Sequence, residues 1–125
     1  MTITGLDHLV LTVASIERTC AFYEKGLGFE RETFAGGRTA LKFGSQKINL
    51  HEAGNEFEPK AIHPTPGSGD LCFVVDDVHA AQKRLEQEGV EIIEGPVTRT
   101  GAVGELLSVY CRDPDGNLLE LSQYQ

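Results

Sequence analysis

The chain has no tryptophan and a single methionine among its 125 residues. Its three cysteines, Cys20, Cys72 and Cys111, are far apart and include no Cys-x-x-Cys pair. An odd, scattered set argues against a disulfide framework or a cysteine-bound zinc cluster, and fits a reducing compartment such as the cytoplasm. Long apolar runs are missing too, so no transmembrane helix is expected. The N-terminus has no basic stretch leading into an apolar one, which argues against a secretory signal. Positive charge is also scarce. Eleven Lys and Arg stand against nineteen Asp and Glu, for a net charge of −8. A chain this acidic repels phosphate backbones, so neither nucleic acid nor an anionic membrane is expected as a partner. What remains is a soluble chain of one-domain length, long enough to bury a real core.

The order of residues suggests one unit written twice. His8–Val13 alternates apolar and polar positions like a half-buried strand. Ser15 is placed to cap a helix from Ile16, with Ile16, Cys20 and Tyr23 on one face and Gly26 and Gly28 as its stop. Strands are expected near Glu30–Phe34, Arg38–Phe43 and Lys47–His51. The second half follows the same order. Asp70–Val75 reads as a strand, Asp77 as a cap, and Val78, Ala81 and Leu85 as a helix face stopped by Gly89. Strands are then expected near Glu91–Ile93, Leu106–Cys111 and Asn117–Ser122, with a turn at Asp113-Pro114-Asp115-Gly116. His8 and Asp70, Ser15 and Asp77, and Ile16 and Val78 share one offset of 62 positions. A constant offset across strand, cap and helix points to internal duplication.

The expected fold class is α+β, with two β-α-β-β-β modules over about 5–52 and 70–125 in one domain spanning 1–125. Residues 53–69, rich in Pro and Gly, read as an ordered connector. The stretch from Gly95 to Gly104 reads as a surface flap. Strand parity sends Leu9, Leu11, Val13, Ile48, Leu50, Leu71, Phe73, Leu119 and Leu121 beneath the helices. It leaves His8, Asn49, His51, Asp70 and Glu120 on the opposite face, where they are free for chemistry. Cys72 shares that face. With no evident activator, it reads as small apolar filling rather than a nucleophile.

These residues carry a resemblance. Leu6-Asp7-His8, Phe22-Tyr23 ahead of Leu27-Gly28-Phe29, and Arg112 to Asn117 with Glu120 three residues on resemble the vicinal oxygen chelate superfamily. That superfamily includes glyoxalase I, fosfomycin-resistance thiol transferases, extradiol dioxygenases and bleomycin-sequestering proteins. The run from Ile48 to Lys60 is similar to a narrower group of single-domain glyoxalase-domain proteins.

The resemblance implies a cup formed by two modules and a divalent metal inside it, one of Mn²⁺, Zn²⁺, Ni²⁺, Fe²⁺ or Mg²⁺. His8, Asp70 and Glu120 would be its ligands, with Asp70 where a second His is usual. Glu120 or His51 would be the proton-transfer base. Asn49 stands where glyoxalase I has its other Glu, and an amide cannot take up and return a proton. Asn49, Arg38 and Arg99 are candidate substrate contacts. Val10 stands where the fosfomycin enzymes place a Thr, which tells against thiol transfer. The expected function is a glyoxalase-like, metal-dependent lyase or isomerase acting on a small substrate. The alternative is a binding or sequestering protein without chemistry. The resemblance further implies a homodimer whose cups combine halves of two chains.

Overall fold

The computed structural model describes residues 1–125, which group into two compact units, Met1–Pro66 and Gly67–Gln125. In the first unit, strand β1 (His8–Val13) leads through helix α1 (Ile16–Leu27) to β2 (Glu30–Phe34), β3 (Arg38–Phe43) and β4 (Gln46–Glu52). The sheet order is β1-β4-β3-β2. β1 runs parallel to β4, and the other neighbours are antiparallel. This order follows from the connections. Two tight hairpins lay β2, β3 and β4 side by side, and the α1 crossover lets β1 meet β4 in parallel.

Both ends of α1 are set by local chemistry. Ser15 holds an extended backbone, and its hydroxyl accepts from the Arg18 N–H at 3.2 Å. Gly28 adopts φ 72°, the left-handed conformation that ends helices, and its N–H reaches the Glu24 carbonyl. Cys20 and Tyr23 of α1 are buried, as are Val13, Leu41, Ile48 and Leu50 of the sheet. These residues form the first unit's core.

The second unit repeats the plan. It runs through β5 (Asp70–Val74), α2 (Val78–Gln87), β6 (Glu94–Thr100), β7 (Glu105–Arg112) and β8 (Leu118–Tyr124). The sheet order is β5-β8-β7-β6, with β5 parallel to β8. The Asp77 carboxylate caps α2 by accepting from the His79 and Ala80 N–H groups, each at 3.0 Å. Val78, Leu85, Val109, Cys111, Leu119 and Leu121 are buried and form its core. His8 and Asp70 both open the first strand of their unit, as the 62-residue offset predicts.

One strand was misplaced by the sequence reading. The expected strand at Glu91–Ile93 lies instead at Glu94–Thr100, inside the stretch read as a surface flap. Val97 to Thr100 pair with Ser108 to Glu105 of β7, and residues 101–104 form the turn between the two strands. The register shifts between Glu94 and Val97, around Gly95-Pro96, because proline has no N–H to give the ladder. Gly95 sits at φ 100°, and a Cβ there would collide with the Ser108 carbonyl, so the bulge requires glycine.

The turn before β8 is held by side chains. Asp113 Oδ1 accepts from the N–H groups of Asp115 and Asn117, at 2.9 and 3.0 Å. The buried Asn117 side chain donates to Asp113 Oδ2 and accepts from the Gly69 N–H. Gly69 is thereby tied to the start of β8, and Asp70 begins β5 opposite Leu118.

Candidate functional site

The two units present their polar residues at matching places. In the first, the parallel ladder sets Val10 beside Asn49, and Ala40 of β3 flanks Asn49 on its other side. In the second, Cys72 stands beside Glu120, with Tyr110 of β7 on the far side. Asn49 and Glu120 are therefore equivalent positions, as are His8 and Asp70. The match extends to the next positions along. His51 follows Asn49 on the same face and pairs through its side chain with Arg38. Ser122 follows Glu120 and pairs with Ser108.

The neighbours give the two positions different chemistry. Between Val10 and Ala40 the Asn49 amide has no polar side chain beside it across the ladder. It is 7% exposed, and its Oδ1 has no hydrogen-bond partner. A buried acceptor left unmatched is costly, so this atom is suited to a donor or a cation brought by a ligand. Glu120 is held by its neighbours. Ser108 Oγ donates to its Oε2 at 2.7 Å and Ser122 Oγ at 3.1 Å, and the two hydroxyls lie 2.7 Å apart. Cys72 Sγ is 3.2 Å from Ser122 Oγ. Tyr110 and Cys72 also interact with this carboxylate through their side chains.

His51 is 3% exposed, although parity had left it on the free face. The cover comes from the connector, where Phe57 meets the imidazole edge-on at 5.6 Å. Nη2 of Arg38 lies 3.1 Å from His51 Nε2. A guanidinium can only donate, so Nε2 is the acceptor and the proton of the neutral ring sits on Nδ1. Burial lowers the His51 pKa first, and the Arg38 charge lowers it further. The basic lone pair is thus already engaged, which tells against His51 as the proton-transfer base.

The remaining candidates are placed as follows. His8 is exposed at the start of β1, with Nδ1 2.8 Å from the Asp7 carboxylate, so Nε2 is open to a ligand. Asp70 is exposed. Arg99 donates Nε to the Tyr110 hydroxyl at 3.1 Å and pairs with Glu94 at 3.2 Å. Burial is the main influence raising the Tyr110 pKa; the Arg99 hydrogen bond opposes it and the Glu120 charge adds to it. Cys72 is exposed rather than filling a core as expected from sequence; partial burial of the thiol raises its pKa. Ser108 and Ser122, which hold Glu120, were not singled out from sequence. Ser122 had a usable signal, since parity places it on the face of Glu120.

A divalent cation suits these donors one by one: an imidazole nitrogen freed by a carboxylate on its other nitrogen, an orphaned amide oxygen and a carboxylate. Within neither unit do three or more His, Cys, Asp or Glu side chains gather into a metal-holding group.

Residues 5–121 match the Glyoxalase/Bleomycin resistance protein/Dioxygenase superfamily, and the chain belongs to that family. Among its relatives, a glyoxalase domain-containing protein of Mycosarcoma maydis is 56% identical, over 100% of this chain and 71% of its own length. The crystal structure of a virulence protein of Salmonella typhimurium superposes with a TM-score of 0.98, at 56% identity and 100% coverage of both chains. An integron cassette protein from the mobile metagenome of V. cholerae gives a TM-score of 0.97 at 60% identity, covering 100% of this chain and 98% of its own. More distant relatives diverge in function. They include an ethylmalonyl-CoA/methylmalonyl-CoA epimerase of Cereibacter sphaeroides at 29% identity and a lactoylglutathione lyase of Neisseria meningitidis at 24%. An antibiotic-binding protein from Streptomyces has a TM-score of 0.76 at 26% identity. A fosfomycin resistance protein of Listeria monocytogenes, solved with Mn(II), shares the fold at 24% identity. Family membership therefore leaves several chemistries open.

Proposed function

We propose that this chain is a metal-dependent enzyme of the glyoxalase type, which moves a proton at a carbon beside an oxygen-bearing centre of a small substrate. The observation that carries this reading is the setting of Glu120. Two serine hydroxyls fix one carboxylate oxygen. A base that must take a proton from carbon and return it needs a fixed orientation, and the hydrogen bonds to Oε2 supply it.

His8, Asp70 and Glu120 would hold the divalent ion, which when bound would stabilise the negative charge developing on a substrate oxygen. Arg99, braced by Glu94, and the Asn49 and Arg38 side chains would meet the substrate. The relation to an epimerase supports a proton-transfer chemistry. β1 and β5 end their sheets and expose Val10 and Val74, edges that favour association into a homodimer.

A second reading is non-catalytic binding of a small molecule. Asn49 favours it, because the position equivalent to Glu120 holds a group that cannot exchange a proton. The antibiotic-binding relative points the same way.

Elemental analysis of the purified protein, followed by proton exchange in D₂O read by mass spectrometry, separates the two. The test substrates are small 2-hydroxy ketones and 2-hydroxy aldehydes, with each candidate metal added. Deuterium uptake that needs the metal and falls at least a hundredfold in Glu120→Gln supports the enzyme. No retained metal and no exchange with any added ion overturns it in favour of binding.

A further inference from the structure

The first unit gathers positive charge on a face of a chain that is otherwise strongly acidic. Arg38 Cζ lies 5.7 Å and Lys47 Nζ 3.7 Å from the centroid of the same Phe34 ring. Arg38 also lies over Phe57, at 4.6 Å. Neither cation has a carboxylate within ion-pair distance. Nearby acids are engaged elsewhere: Glu32 with Lys42 at 3.4 Å, and Glu56 and Glu58 with Lys60 at 3.6 and 3.1 Å. Arg99 in the second unit shows the contrast, since it is paired with Glu94.

Two like charges brought to one aromatic ring repel each other, and cation–π attraction at a partly exposed site offsets only part of that repulsion. An oxyanion placed between them would relieve that repulsion and offer the Arg38 fork its preferred geometry. A second observation points to the same face. Asn49 lies between Lys47 and His51 in β4, on their side of the strand, and its buried Oδ1 lacks a donor.

We infer that the polar face of the first unit is an oxyanion subsite. Arg38 and Lys47, seated on Phe34, hold a carboxylate or similar anionic group, and Asn49 Oδ1 accepts from a hydroxyl on the same small molecule. The ligand class is a small hydroxy acid. This deepens the reading above by giving the substrate a charge, and rests on it only for the claim that what binds here is what reacts.

The test is isothermal titration of EDTA-treated protein with L-malate, succinate and inorganic phosphate. Working without metal separates the outcome from that of the proton-exchange assay. L-malate binds, and succinate, lacking the hydroxyl, binds at least fivefold more weakly. Arg38→Gln and Lys47→Gln each weaken malate binding at least tenfold, while Lys83→Gln on α2 does not. Asn49→Ala removes the difference between malate and succinate. Thermal melts confirm that the variants are folded. Failure of all three anions to bind at millimolar concentration overturns the subsite, as does malate binding that is unchanged in Arg38→Gln and Lys47→Gln. Phosphate binding as tight as malate, with no effect of Asn49→Ala, overturns the hydroxy-acid assignment.

Discussion

Replacing Ser108 by alanine tests whether the hydroxyl pair holds Glu120. Ser108 is fully buried, and its Oγ makes 2.7 Å contacts with both Glu120 Oε2 and Ser122 Oγ. A hydrogen bond to a charged group contributes about 1.5–3 kcal/mol. Glu120 is partly exposed, so water takes over some of the lost interaction and the lower end applies. Ser108→Ala should therefore destabilise the chain by about 1.5–2 kcal/mol, or roughly 6 °C in Tm for a domain of this size. Because the chain lacks tryptophan, urea unfolding is best followed by far-ultraviolet circular dichroism. The informative quantity is the coupling in a double-mutant cycle of Ser108→Ala with Glu120→Ala, expected at about 1 kcal/mol. Ser122→Ala should couple less strongly to Glu120→Ala, since its contact is 3.1 Å and Ser108 remains in place. A coupling for Ser108 below about 0.3 kcal/mol, the level of simple additivity, would refute the bracing of Glu120.

Three further outcomes follow. His51 is held neutral by burial and Arg38, so its folded pKa lies below the unfolded value of about 6.5. Between those two values the unfolded chain binds more protons. Its contribution is then fully present above about pH 6.5 and is lost as pH falls toward the folded pKa. Thermal melts from pH 7.5 to 5 should show this loss, and His51→Gln should flatten it; a variant with the wild-type slope contradicts the assignment. Lactoylglutathione lyase activity on the methylglyoxal–glutathione adduct should be weak, and Asn49→Glu should raise it; full activity in the wild type would show that Asn49 is no obstacle. Sedimentation at micromolar concentration should give a homodimer, and a monomer would remove the case for pairing through sheet edges.

Much of the fold could be read because its signals are local. Ser15 and Asp77 announce their helices by capping chemistry that spans only three residues. The strand faces follow from a period of two. β6 escaped for an equally local reason: the bulge at Gly95-Pro96 breaks the alternation that would have marked it. The site was less legible because its determinants are distant in sequence. Parity correctly put His51 on the polar face, but its burial depends on Phe57 of the connector. The bond from Ser108 to Glu120 depends on the β7–β8 register, which no local pattern specifies. The convergence of Lys47 and Arg38 on Phe34 depends on side-chain reach across the sheet.

The matched positions of the two units also mean that the chain carries its own engineering control. Arg38 and His51 stand where the other copy has Ser108 and Ser122, and both pairs are bonded across neighbouring strands. The serine pair demonstrates that this backbone tolerates two small hydroxyls at those places. A chimera with serines at positions 38 and 51 thus has a folded precedent within the same polypeptide. In such a chimera the β-α-β-β-β frame stays constant, and what changes is the ionic character of the face it displays.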